Sequence, residues 1–293
     1  MTGFFSEAEQ IQRRVVGATI VLVVLSIIGF GIGKSDDSAQ EVFWTAVKNS
    51  MSTTAVTITA TGSTSGETER VVSQLDFGPV PSSRTLTTLS NSGASAETEA
   101  LTTPKAEYTR YDYIHKKGKA VNFSSVEGLW AKTSSFEGDL IPPTFAQTLL
   151  SQPLPIPIGN LTSSERTSLL GQIQSEQIYT VDFPSAKRVT YRDRAAYAYK
   201  VSIQPVLYLQ LLKGYAPEIG MQQLRQVNPN QYDGQPDVVA TWTIDAKSKQ
   251  LVQADYGAGR VEDYGGWGVP ITISAPTHAI SAGVLQQRLN SLL

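Results

Sequence analysis

The sequence predicts an α+β protein: a curved antiparallel sheet, an incomplete β-barrel, covered on its concave side by helices and preceded by one N-terminal transmembrane helix. Three observations carry this. Residues 15–33 form an uncharged apolar run, two groups of alternating segments are joined by short turn-rich connections, and helical periodicity is confined to a few stretches between and beside those groups. A sheet of so many strands has to curl or split, and helices inserted midway are placed to cover one concave face.

The chain divides into a tail (1–14), the apolar run (15–33) and an exported domain (34–293). At about 1.5 Å per residue, VVGATIVLVVLSIIGFGIG reaches roughly 28 Å, close to the hydrocarbon thickness of a bilayer. Arg13 and Arg14 precede it and Asp36, Asp37 and Glu41 follow, so the positive-inside bias leaves the N-terminus cytoplasmic and the main domain extracytoplasmic at the cell membrane. A cleaved signal peptide shares these ingredients, but the run is longer than a usual signal core, and its small-x-small site, Gly31 and Gly33, lies inside it. Gly29 and Gly33 form a GxxxG pair that allows a weak homodimer through the anchor; a lipid-facing helix end explains them equally.

In the exported part, Val42, Phe43, Ala46, Val47 and Met51 stand at helical spacing over 39–51. Residues 53–61 then alternate, with Val56 and Ile58 on one face and Thr57 and Thr59 on the other, as a half-buried strand does. Strands follow at 68–77, 83–90, 95–102, 105–114 and 119–124, with connections short enough for an antiparallel meander. The Pro-alternating QPLPIPI at 152–158 reads as an extended loop with an apolar face. Thr162 with Glu165 three residues on forms a capping box that opens a helix over 163–175. Further strands are expected at 177–182, 187–192 and 195–203. Pro205 opens a largely apolar helix that Gly214 ends. Residues 217–236 read as loop with a short helical turn. A hairpin follows, setting Val238, Ala240, Trp242 and Ile244 against Val252, Ala254 and Tyr256. Strands at 259–264 and 269–275 and a helix over 280–293 complete the chain.

Composition narrows the function. Of 293 residues, 24 are Lys or Arg and 26 Asp or Glu, a net charge of -2 that does not suit a nucleic-acid binder. There is no Cys, hence no disulfide, thiolate metal site or lipidated N-terminal Cys, and only two His. His115 in HKKGK reads as a solvated hairpin turn, or as a basic tip against anionic headgroups, and His278 as an entry turn. Neither has a metal-ligand companion at short spacing. No GxSxG elbow, Ser-x-x-Lys pair, dinucleotide fingerprint or Walker A run stands out, and Glu262 and Asp263, adjacent on a strand, point to opposite faces. No catalytic residue, cofactor or metal is assigned, and the chain is read as not an enzyme.

The aromatics are more informative. Tyr108, Phe123, Trp130, Tyr199, Trp242 and Tyr256 lie on or beside expected strands, and Leu169, Ile173 and Leu209 on the two midway helices; together they are the candidate lining of an apolar cavity. Ordinary core packing explains any one of them.

Four segments resemble the lipoprotein-carrier superfamily of the LolA/LolB and LppX/LprG type: SAQEVFWTAVKNSMSTTAVTITATG as the opening helix and first strand, GLWAK at 128–132 as a mid-sheet Gly-x-Trp strand, AYAYKVSIQPVLYLQLL at 196–212 as a strand-then-helix lid, and ATWTIDAKSKQLVQADY at 240–256 as a late hairpin. The resemblance implies a cavity for acyl chains. Without Cys the chain departs from that family's lipoprotein attachment, and a spanning helix would tether it instead. The expectation is a membrane-tethered protein that binds a lipid or lipid-modified ligand in a cavity between the sheet and the helices at 163–175 and 205–213. The alternative is a cell-surface scaffold or protein-interaction module with a filled core.

Overall fold

The structure is a computed structural model that describes residues 37–64, 66–78, 81–103, 105–116, 119–120, 122, 124–135, 156–215 and 228–292. The expected anchor at 15–33 and the candidate Phe123 lie outside these. The chain divides into a unit of residues 1–41 and one of residues 42–293, which holds the sheet. Among the described residues no helix is long and apolar enough to cross a membrane.

Helix α1 (Ala39–Ser50) is followed by a meander: β1 (Ala55–Thr64), β2 (Glu67–Asp76), β3 (Ser82–Asn91), β4 (Ala94–Thr103) and β5 (Ala106–Lys116), then β6 (Lys119–Ala120) and β7 (Ala131–Ser135). Next come α2 (Ser163–Ser175), β8 (Tyr179–Val181), β9 (Lys187–Tyr191), β10 (Arg194–Ile203) and α3 (Pro205–Tyr215). The chain continues through β11 (Val238–Asp245), β12 (Leu251–Gly257), β13 (Arg260–Gly265), β14 (Ile280–Ser281) and α4 (Ala282–Asn290). The fourteen strands among the described residues form one sheet, in the order β14-β7-β5-β4-β3-β2-β1-β13-β12-β11-β10-β8, with β6 on β5 and β9 on β10. The end strands do not pair with each other, so the curved sheet is open, an α+β arrangement with four α-helices among the described residues. It is antiparallel except for the two-residue β14–β7 pairing.

Register explains which side is buried. Tyr199 pairs with Trp242, Trp242 with Ala254, and Ala254 with Glu262; Glu262 then pairs with Ala60, and Ala60 with Val71, so one rung crosses six strands on one face. Helix α1 packs on that face: Phe43 stacks on Trp242, with ring centroids 5.5 Å apart, and meets Tyr199 and Tyr179 edge-on. At the far edge of the sheet α4 seats Leu285 against Val126 and Ala131. The capping box at Thr162 is present: Glu165 N–H donates to the Thr162 hydroxyl, and Thr162 N–H donates to the Glu165 carboxylate at 2.6 Å.

Several expectations are corrected. The strand expected over 119–124 pairs only at Lys119 and Ala120 among the described residues. Residues 269–275 form no strand; Pro270 inside the stretch removes a backbone donor that a ladder needs, and Pro276 follows directly after it. The last helix starts at Ala282, capped by the Ser281 hydroxyl, because Ile280 N–H donates to the Trp130 carbonyl and joins the sheet. Helix α3 continues through Gly214 to Tyr215, which is buried. In the late hairpin a β-bulge places Ile244 opposite Leu251, so Leu251, and not Val252, joins the core.

Candidate functional site

The expected cavity residues separate into three groups. Trp242 and Tyr199 have no exposed surface and are locked among Phe43, Tyr179 and Phe183. These rings pack against one another on the face of the sheet where the sequence suggested a cavity. Leu169 and Ile173 are buried on α2, and Leu209 is half-buried on α3.

Tyr108 and Trp130 lie toward the opposite face. Tyr108 pairs with Leu101, one step out of phase with the buried rung, and Trp130 stacks under the Arg110 guanidinium at 4.9 Å. That face carries a charge network of its own: Glu99, 2% exposed, bridges Arg84 and Arg110, and Arg110 Nε meets Asp112 at 2.9 Å. Burial raises the Asp112 pKa, and Arg110 opposes the rise.

The concave face itself holds a half-open trough of about 670 Å³ toward the hairpin tips. One rung beyond the Ala60–Val71 pair, Gly62, Glu69, Leu89, Ala96 and Ile114 stand side by side across five strands and all line it. Small residues make the hollow. A side chain at Gly62 would meet nothing within 4 Å, and Ala60, Ala94 and Ala96 keep the floor low. Leu89 is 50% exposed there. A narrower groove, about 400 Å³, runs between α2 and the end of α3 past Leu169 and Tyr215.

A buried polar cluster borders the trough. Glu262, 1% exposed on the core face of β13, accepts from the Tyr264 hydroxyl at 2.5 Å and the Tyr256 hydroxyl at 3.0 Å through Oε2, and from Arg260 Nη2 at 3.1 Å through Oε1. Arg260 also lies over the Tyr256 ring at 4.9 Å and lines the trough. Burial first, then Glu262, holds the Tyr256 hydroxyl well above its ordinary range; burial does the same for Tyr264, helped by Tyr256 and Glu262. Both therefore stay donors toward the carboxylate. Tyr256 thus belongs to the site as the support of Arg260. Sequence reading passed over Arg260, Gly62 and Leu89, because only the pairing of β13 with β1 brings them together. The Gly-Ala-Gly turn at 257–259 is a local signal for Arg260 alone: Ala258 and Gly259 both have positive φ, as a two-residue hairpin turn requires.

Among the described residues no group of three or more His, Asp or Glu is placed to hold a metal ion. No family model and no curated protein matches the chain. Among solved structures, the crystal structure of LprF from Mycobacterium bovis matches with 16% identity and a TM-score of 0.43, over 82% of this chain and 97% of that one.

Proposed function

We propose that the chain is a membrane-tethered extracytoplasmic protein that binds a lipid or lipid-modified ligand in the trough of its curved sheet. The observation that carries this reading is the trough itself. Its volume of about 670 Å³ falls within the roughly 300–1,000 Å³ of small-ligand sites. Its floor is apolar at Ala60, Val71, Leu89, Ala96 and Ile114, and it ends beside the charged Arg260, which suits an amphiphile with its chain along the sheet and its head at the cluster. The uncharged run at 15–33 supports a tether that leaves residues 34–293 outside the cytoplasm.

The test is to purify the full chain from its membrane in a mild detergent and measure its mass by native mass spectrometry, then extract it with solvent. A retained lipid that a Leu89→Asp substitution removes without unfolding the protein is the expected result. The second reading, an interaction module with a filled core, is favoured by one observation: Phe43, Tyr199 and Trp242 are fully buried. A folded chain that retains no lipid and takes up no added lysophospholipid selects it.

A further inference from the structure

Arg260 carries five N–H donors on a rigid fork. Its Nη2 donates to buried Glu262 and its plane rests on Tyr256, while its side chain is 46% exposed and lines the trough. Among the described residues, no other protein group accepts from it. A buried carboxylate and a ring thus orient a guanidinium whose remaining donors face the hollow. Such a fork suits a phosphate or carboxylate.

The register puts an opposite charge nearby. Thr61 pairs with Val261, so one step further Gly62 stands beside Arg260, and Gly62 pairs with Glu69. Because Gly62 has no side chain, the space between Arg260 and Glu69 is open. Glu67, two residues before Glu69 on the same face of β2, also lines the trough, and neither carboxylate forms an ion pair among the described residues. A purely anionic head would meet repulsion from two carboxylates; a neutral head would desolvate Arg260 without pairing it.

Resting on the amphiphile reading above, we propose that the trough selects a zwitterionic head group, with its anionic part on Arg260 and its cationic part toward Glu69 and Glu67.

The test uses the full chain in a non-ionic detergent and three photoactivatable lipids with one shared acyl chain: lysophosphatidylethanolamine, lysophosphatidylglycerol and monoacylglycerol. The concentration for half-maximal labelling of peptides from residues 67–116 is measured for each. The zwitterionic lipid is expected to label at about tenfold lower concentration than monoacylglycerol, the factor a hydrogen bond to a charged group supplies. Glu67→Gln with Glu69→Gln, both exposed, should abolish its preference over lysophosphatidylglycerol. Arg260→Met with Glu262→Gln, which leaves no buried charge unpaired, should abolish the advantage of lysophosphatidylethanolamine over monoacylglycerol, with a thermal melt reporting the fold.

Equal labelling by monoacylglycerol overturns the head-group inference and leaves the amphiphile reading standing. A preference over lysophosphatidylglycerol that survives the Gln pair also overturns it. Labelling of residues 67–116 by none of the three overturns the amphiphile reading itself.

Discussion

Arg260 donates from Nη2 to Oε1 of Glu262 at 3.1 Å, joining an exposed side chain at the mouth of the trough to a carboxylate in the core. The other carboxylate oxygen is held by two tyrosines, so the cluster works as a unit. Replacing Tyr264 by Phe removes the donor at 2.5 Å and leaves a buried acceptor one partner short. The expected cost is about 1–3 kcal/mol, read as a lower denaturant midpoint with unchanged slope.

The aromatic core should answer to stability and not to binding. Phe43→Ala opens a hole against Trp242, Tyr199 and Tyr179 and is expected to cost about 3–5 kcal/mol. Trp242→Phe, a milder change, should lower the melting temperature yet leave lipid labelling of residues 67–116 unaltered. Loss of labelling by that folded variant would move the ligand from the trough to the aromatic cluster around Trp242.

Gly62→Leu separates filling from folding. Gly62 lies in β1 with open space where a Cβ would go, and its φ is not in the left-handed region. A leucine there should leave stability unchanged or raise it by about 0.5–1 kcal/mol, since glycine weakens a strand interior. It should also occupy the hollow and reduce lipid uptake. A melting curve and a labelling assay on one sample read both effects.

Alkaline pH should unfold the protein cooperatively. Burial raises the hydroxyls of Tyr179, Tyr199, Tyr208, Tyr215, Tyr256 and Tyr264, and burial with the bond to Asp263 pushes Tyr191 up to about 12. Raised folded pKa values mean that the unfolded chain loses protons first. The stability they contribute is therefore whole below about pH 10, the ordinary tyrosine value, and falls as pH rises through the folded values. Phenolate absorbance should lag behind that of the chain in guanidinium, and Tyr191→Phe should shallow the loss between about pH 10 and 12.

Much of this fold is legible in the sequence because its signals are local. Alternation places β1 to β5 to within a few residues, Thr162 and Glu165 write the start of α2, and Pro205 writes the start of α3. The trough is not local. It depends on β13 pairing with β1 across about two hundred residues, and on a bulge between Glu97 and Thr98 that shifts which residues of β5 face inward. The aromatics drew attention to Tyr199 and Trp242, yet large rings fill space. The hollow forms where Gly62, Ala60, Ala94 and Ala96 leave it, and small residues carry no sequence signal of a site.

The most direct measurement is a benzophenone amino acid placed at Leu89, 50% exposed on the trough floor, and as control at Val239, 46% exposed on the opposite face. The full chain is irradiated in the cells that express it and its peptides are weighed. A lipid mass added at position 89 and absent at 239 is the result this account predicts; no lipid at 89, or equal capture at both, contradicts it.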